Sequence, residues 1–110
     1  MGTFAKGEIV LFPFPFTDLT QRRLRPCLVL SGEMNQDLIL CQITSKYSKK
    51  DKYSLELKKQ ETIGGSLNLD SYIRTNMLFT ASKDQIVNKI CRIQKEKYLE
   101  TIKAIVKIIS

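Results

Sequence analysis

Up to Ile93 the apolar residues of this chain come in short aliphatic and β-branched runs, each closed by a turn signal. Only from Gln94 onward do they recur at three- and four-residue steps. That order restricts the fold to a set of short strands followed by one helix. The first run, GEIVLF at residues 7–12, is closed by PFPF; Pro13 and Pro15 lack the N–H that a ladder needs, so strand one is expected to end near Phe12. Residues 17–24, TDLTQRRL, are polar and turn-rich and lead through Pro26 into CLVLS, which predicts a second strand from about Arg25. Residues 38–44 are nearly continuously apolar, as in a strand covered on both faces. A basic loop, KYSKKDKY, follows, and SLELK then alternates in the manner of a half-exposed strand.

IGGS breaks the chain at Gly64 and Gly65, after which SYIRTNML reads as a strand with Tyr72, Arg74 and Asn76 on one face and Ile73, Thr75 and Met77 on the other. Ser82 is placed to cap a short helical turn at KDQI, and KICRI alternates as one more strand. From Gln94 to Ile109, Tyr98, Leu99, Ile102, Ile105, Val106 and Ile109 mark the apolar face of an amphipathic helix. The expected fold class is mainly β with α: a small twisted barrel or sheet with a C-terminal helix packed on it.

With 110 residues the sequence is read as a single domain spanning 1–110, long enough to remove roughly two-thirds of its unfolded surface from water. Its apolar runs are too short to cross a bilayer and no charged-then-apolar segment opens the chain, so a soluble, cytoplasmic protein without membrane contact is expected. Cys27, Cys41 and Cys91 share no ligand spacing and each sits among aliphatic residues, as buried thiols do. The chain has no histidine, which argues against a Cys/His metal site and removes the usual near-neutral proton carrier. A net charge of +7 favours a polyanion or an acidic protein as partner.

Arg25 precedes Pro26, and a residue before proline is biased toward extended backbone, which fixes where its guanidinium starts. A planar, permanently charged fork in a fixed place suits phosphate and can stabilise the extra negative charge of a phosphoryl transition state. An arginine before a strand can equally be a plain surface charge. Thr44 can offer a hydroxyl to phosphate or simply finish a strand, and Arg74 with Asn76 can form a polar anchor or a solvated edge. The lysines and tyrosines at 46–53 can hold a single nucleic-acid strand by charge and stacking, or form an ordinary solvated loop.

In order and spacing these pieces resemble the MazF/PemK family of toxin endoribonucleases from toxin–antitoxin pairs, over nearly the whole chain. KGEIVLFPFPFTD is similar to the family's opening strand and proline-containing loop, RPCLVLS to its second strand, CQITSK to its third, and SYIRTNMLFTASKDQIVNKICRI to the segment before its helix. The resemblance implies an SH3-like or CcdB-type small barrel with a C-terminal helix, commonly a homodimer. It implies cleavage of single-stranded RNA without metal or other cofactor, by attack of a ribose 2′-hydroxyl on the neighbouring phosphate. It also implies a cognate acidic antitoxin.

Carried over by position, the catalytic residues are Arg25, Thr44 and Arg74. The RNA-binding residues are Arg22, Arg23, Ser45, Lys46, Tyr47, Lys49, Lys50 and Asn76. One branch of the family has an aspartate where this chain has Asn76, and an amide cannot serve as a carboxylate base. The Arg25 and Thr44 arrangement of the other branch is complete. Two other readings stay open at this point: a CcdB-like toxin that binds gyrase, and a nucleic-acid-binding barrel that does not cut.

Overall fold

The computed structural model describes residues 3–15, 22–47 and 50–110, and of Pro15 and Arg22 the backbone alone. Among the described residues seven strands form one sheet: β1 (Glu8–Pro15), β2 (Arg22–Val29), β3 (Asp37–Thr44), β4 (Ser54–Leu57), β5 (Thr62–Ile63), β6 (Ser71–Ser82) and β7 (Asn88–Ile93), followed by helix α1 (Lys95–Ile109). Their order across the sheet is β4-β6-β3-β2-β1-β7-β5, and every pairing is antiparallel. No described helix is long and apolar enough to cross a membrane.

Strand one does not stop at Phe12. It continues through both prolines, with Leu11 opposite Pro26, Pro13 opposite Leu24 and Pro15 opposite Arg22. These three pairs lie two residues apart and are therefore alike in type, and since proline cannot donate they are the non-hydrogen-bonded pairs of the ladder. Pro13 and Pro15 would direct an N–H away from β2, toward the side where β7 has already ended at the Leu11–Asn88 pair. No ladder bond is lost, so the strand runs on. For the same reason β2 begins at Arg22, three residues before the expected start. β6 is also longer than expected, reaching Ser82, where the hydroxyl accepts the Asp84 N–H at 3.3 Å as the expected cap of a short 3-10 turn.

Because successive strand residues point to opposite faces, the central strands bury both sides. Ile9, Leu28, Cys41 and Ile43 belong to one core cluster, which includes Ile105 of α1. Val10, Cys27, Val29 and Leu40 belong to a second. The second is closed by Phe12, Phe14 and Phe79, whose ring centroids lie 5.1–5.4 Å apart in tilted and edge-on contacts.

Helical periodicity located α1 but misplaced its buried face. Thr101 and Ile105 are buried and Tyr98 and Ile102 partly so, whereas Leu99, Val106 and Ile109 are exposed at 54%, 48% and 72%. The contact line 98-101-102-105 runs along one edge of the apolar stripe and admits Thr101 because its hydroxyl donates to the Lys97 carbonyl at 2.8 Å, which leaves no polar atom unsatisfied. Polar bonds then fix the helix to the sheet. The Tyr98 hydroxyl donates to the Leu30 carbonyl at 2.7 Å, and Lys97 Nζ donates to the Glu56 carbonyl at 3.0 Å and pairs with Glu61 and Glu100. Burial alone would lower the Lys97 pKa, but the Glu100 and Glu61 contacts outweigh it and raise it. Tyr98→Phe removes one hydrogen bond and strands a carbonyl at the end of β2; a loss of about 1 kcal/mol is expected, measured as a lower urea midpoint with an unchanged slope.

Candidate active site

The parity that accommodates Pro13 and Pro15 has a second effect at Pro26. Leu30 donates its N–H to the Ile39 carbonyl at 2.9 Å, so the β2 residues facing β3 with their N–H groups are Leu30, Leu28 and, next in line, Pro26. Pro26 has nothing to donate, and the β2–β3 ladder ends at the Cys27–Gln42 pair. Continued by two residues, the register would set Arg25 opposite Thr44. Instead the strands part there, and a cleft of about 420 Å³ opens, bordered by Arg25, Pro26, Ile43 and Thr44.

Arg25 lies opposite Phe12 in the β1 ladder and Arg23 opposite Phe14, so both share a sheet face with the aromatic cluster. Thr44 ends β3 opposite Tyr72 of β6. Its Oγ1 accepts the Lys46 N–H at 3.2 Å, an arrangement that leaves the hydroxyl proton available to donate elsewhere. Among the described residues the remaining border of the cleft is neutral, with Ser45, and with Ser66 and Asn68 from the segment between β5 and β6. No carboxylate borders it among the described residues. The guanidinium groups of Arg25 and Arg23 and the hydroxyls of Thr44 and Ser45 suit the site to holding and stabilising an anion.

Arg74 is not at this cleft. It lies in β6 opposite Ser54, within an irregular stretch where Arg74 to Met77 stand against Gln42 alone. Its Nε is 3.8 Å from Asp51 Oδ2. Asp51 is itself held by the Ser54 hydroxyl at 2.6 Å and the Tyr53 N–H at 2.9 Å. These bonds, with a smaller contribution from Arg74, keep its carboxyl below the usual range. Asn76 is exposed two residues further on.

The structure thus brings Arg25, Arg23, Thr44 and Ser45 together at one cleft and sets Arg74 and Asn76 apart from them. Tyr47, 64% exposed, lies in tilted ring contact with Tyr72 at 5.5 Å between centroids, while Lys46 and Lys50 are exposed. Lys49 and the side chain of Arg22 lie outside the described residues. Sequence reasoning missed Ser66, Asn68 and Tyr72. Tyr72 carried a signal, its alternation with Arg74, but the approach of residues 66–69 to the cleft is a tertiary fact.

A model described as the PemK-like, MazF-like toxin of type II toxin–antitoxin systems matches residues 5–109. No curated protein matches the chain in sequence. Among solved structures, the chain is similar to a MazE–MazF crystal structure from Deinococcus radiodurans, with a TM-score of 0.78 at 12% identity, covering 98% of this chain and 97% of that one. It is also similar to a mycobacterial endoribonuclease in complex with its cognate antitoxin, with a TM-score of 0.69 at 14% identity and coverage of 96% and 94%. The Mycobacterium tuberculosis toxin MazF-mt6 matches with a TM-score of 0.65 at 14% identity and coverage of 89% and 93%. At these identities the likeness is one of fold.

Two of the three thiols flank the cleft strands, and their chemistry is suppressed. Burial pushes Cys27 and Cys41 from 9.0 up to about 12, and it raises Cys91 as well. All three are unpaired with one another. Because the folded values are raised, the stability that Cys27 and Cys41 contribute is fully present below the unfolded value and is lost as pH rises toward the folded one. Iodoacetamide at about pH 8 should leave both unmodified in the native protein and alkylate all three cysteines after denaturation, read by intact mass.

Proposed function

Because the chain belongs to the PemK-like, MazF-like toxin family of type II toxin–antitoxin systems, we propose that it acts as an endoribonuclease on single-stranded RNA. One observation carries this reading: Arg25 and Thr44, distant in sequence and matched separately to the family's motifs, border the same cleft at the point where β2 and β3 separate.

In the proposed reaction a ribose 2′-oxygen forms a bond to the adjacent phosphorus as the bond to the 5′-oxygen breaks. The products are a 2′,3′-cyclic phosphate and a 5′-hydroxyl. Arg25 holds the non-bridging oxygens bidentately and stabilises the charge that accumulates on them, and the Thr44 hydroxyl donates to the same group. With no histidine in the chain and no carboxylate among the described cleft residues, the 2′-hydroxyl proton passes to water and the departing 5′-oxygen takes one from water. No metal or cofactor takes part. Arg74 acts at a distance as an RNA anchor, together with Arg22, Arg23, Ser45, Lys46, Tyr47, Lys49, Lys50 and Asn76. The net charge of +7 supports an acidic antitoxin segment as the inhibiting partner, and the working form is a homodimer.

Purified protein incubated with a long unstructured RNA should generate fragments with cyclic phosphate ends, equally well with a chelator present; RNA left whole would refute the reading. Arg25→Ala should lower the cleavage rate by about a hundredfold or more, equivalent to about 3 kcal/mol of transition-state stabilisation, with unfolding unchanged. Arg25→Lys should be nearly as damaging because a point charge cannot replace the fork, whereas Arg23→Lys and Arg74→Lys should cost far less.

A further inference from the structure

The cleft is larger than a phosphate requires, and the described residues of the β5–β6 segment that border it as one wall, Ser66 to Leu69, carry no charge. Ser66 and Asn68 offer neutral donors and acceptors, and neither has an intramolecular side-chain partner among the described residues. Two leucines border the same cleft from different parts of the fold, Leu24 of β2 at 47% exposure and Leu69 of the β5–β6 segment at 61%. A phosphate site has no use for exposed leucines beside an uncharged amide. A nucleobase does, since its faces are apolar and its edge carries adjacent donors and acceptors.

The wall is also rigidly built. Leu67, between Ser66 and Asn68, is only 7% exposed and belongs to the core cluster beneath the helix. Gly65, at φ +143, lies so close to β7 that a Cβ there would stand 2.5 Å from the Ile90 carbonyl oxygen, an approach only glycine permits. At the other end the Lys59 N–H donates to Asp70 at 2.9 Å and the Ser71 hydroxyl donates to the Leu69 carbonyl at 2.9 Å. A polar group between two such fixings is pre-placed, and that is what discrimination between similar ligands requires.

We propose that residues 66–69 form the base-selecting wall of the cleft, in which the Asn68 amide reads the edge of one nucleobase next to the scissile phosphate while Leu24 and Leu69 cover its faces. This rests on the RNA-cleaving function above and adds a source of its sequence preference.

The test is cleavage of an RNA pool randomised around one cut site, sequenced for wild type, Asn68→Ala and Asn68→Asp, with thermal unfolding of each to establish the fold. Wild type should show a preference at a position adjoining the cut. In Asn68→Ala the rate ratio between favoured and disfavoured bases at that one position should fall roughly tenfold or more, with preferences elsewhere retained. Asn68→Asp, which only accepts, should move the preference there away from uracil and toward guanine, adenine or cytosine, whose exocyclic amino groups donate. If Asn68→Ala keeps the wild-type preference at every position, or slows all sequences equally, the inference is overturned while RNA cleavage stands. If the wild type cuts no member of the pool, both are overturned.

Discussion

Hydrogen-bond parity between β1 and β2 is the constraint on which the rest of this structure depends. In the observed register Pro13, Pro15 and Pro26 all occupy pairs of one type, the type that makes no bonds between these strands. A slip of one residue would separate Pro26 from the other two, because Pro13 and Pro15 would stay in one class and Pro26 would move to the other. One class or the other must then lose a donor. The same slip would exchange the side chains of whichever strand moved between the two cores, Ile9 with Val10 in β1 or Leu28 with Cys27 in β2. Backbone bonding and apolar burial therefore select the same register independently.

What parity permits between β1 and β2 it forbids between β2 and β3. Pro26 has its missing donor directed at Ile43, so the ladder that buries Leu28, Leu40 and Cys41 cannot be extended to Arg25 and Thr44. The cleft is a consequence of the core's own bonding pattern, and it forms beside the Arg25 guanidinium and the Thr44 hydroxyl. Rigidity on one side, where strands are fully paired, and open space on the other arise from a single residue.

Much of this was legible in the sequence. Alternation located most strands, three- and four-residue spacing located the helix, and the Thr44–Ser45 pair marked the end of β3, whereas the Arg25–Pro26 pair marked the place where β2 leaves β3 and not where β2 begins. Proline chemistry misled where it was applied without parity: Pro13 and Pro15 read as a stop, and only the partner strand reveals that their missing N–H groups face an edge. The helix illustrates a different limit. Its apolar residues fix the period but not which of two adjacent lines meets the sheet, and a satisfied Thr101 took the place that Leu99 or Val106 was expected to fill. Asn68 was invisible for a third reason, since nothing local distinguishes an amide in a loop from one brought against a cleft by Gly65 packing on Ile90.

The sheet's outermost strands, β4 and β5, are four and two residues long. Strands that short present few unpaired backbone groups to another chain, and the outer side of β1 beyond Leu11 is blunted by Pro13 and Pro15. Pairing with another chain is thereby limited at β4, at β5 and along the outer side of β1, which matters for a chain whose central strands bury apolar residues on both faces.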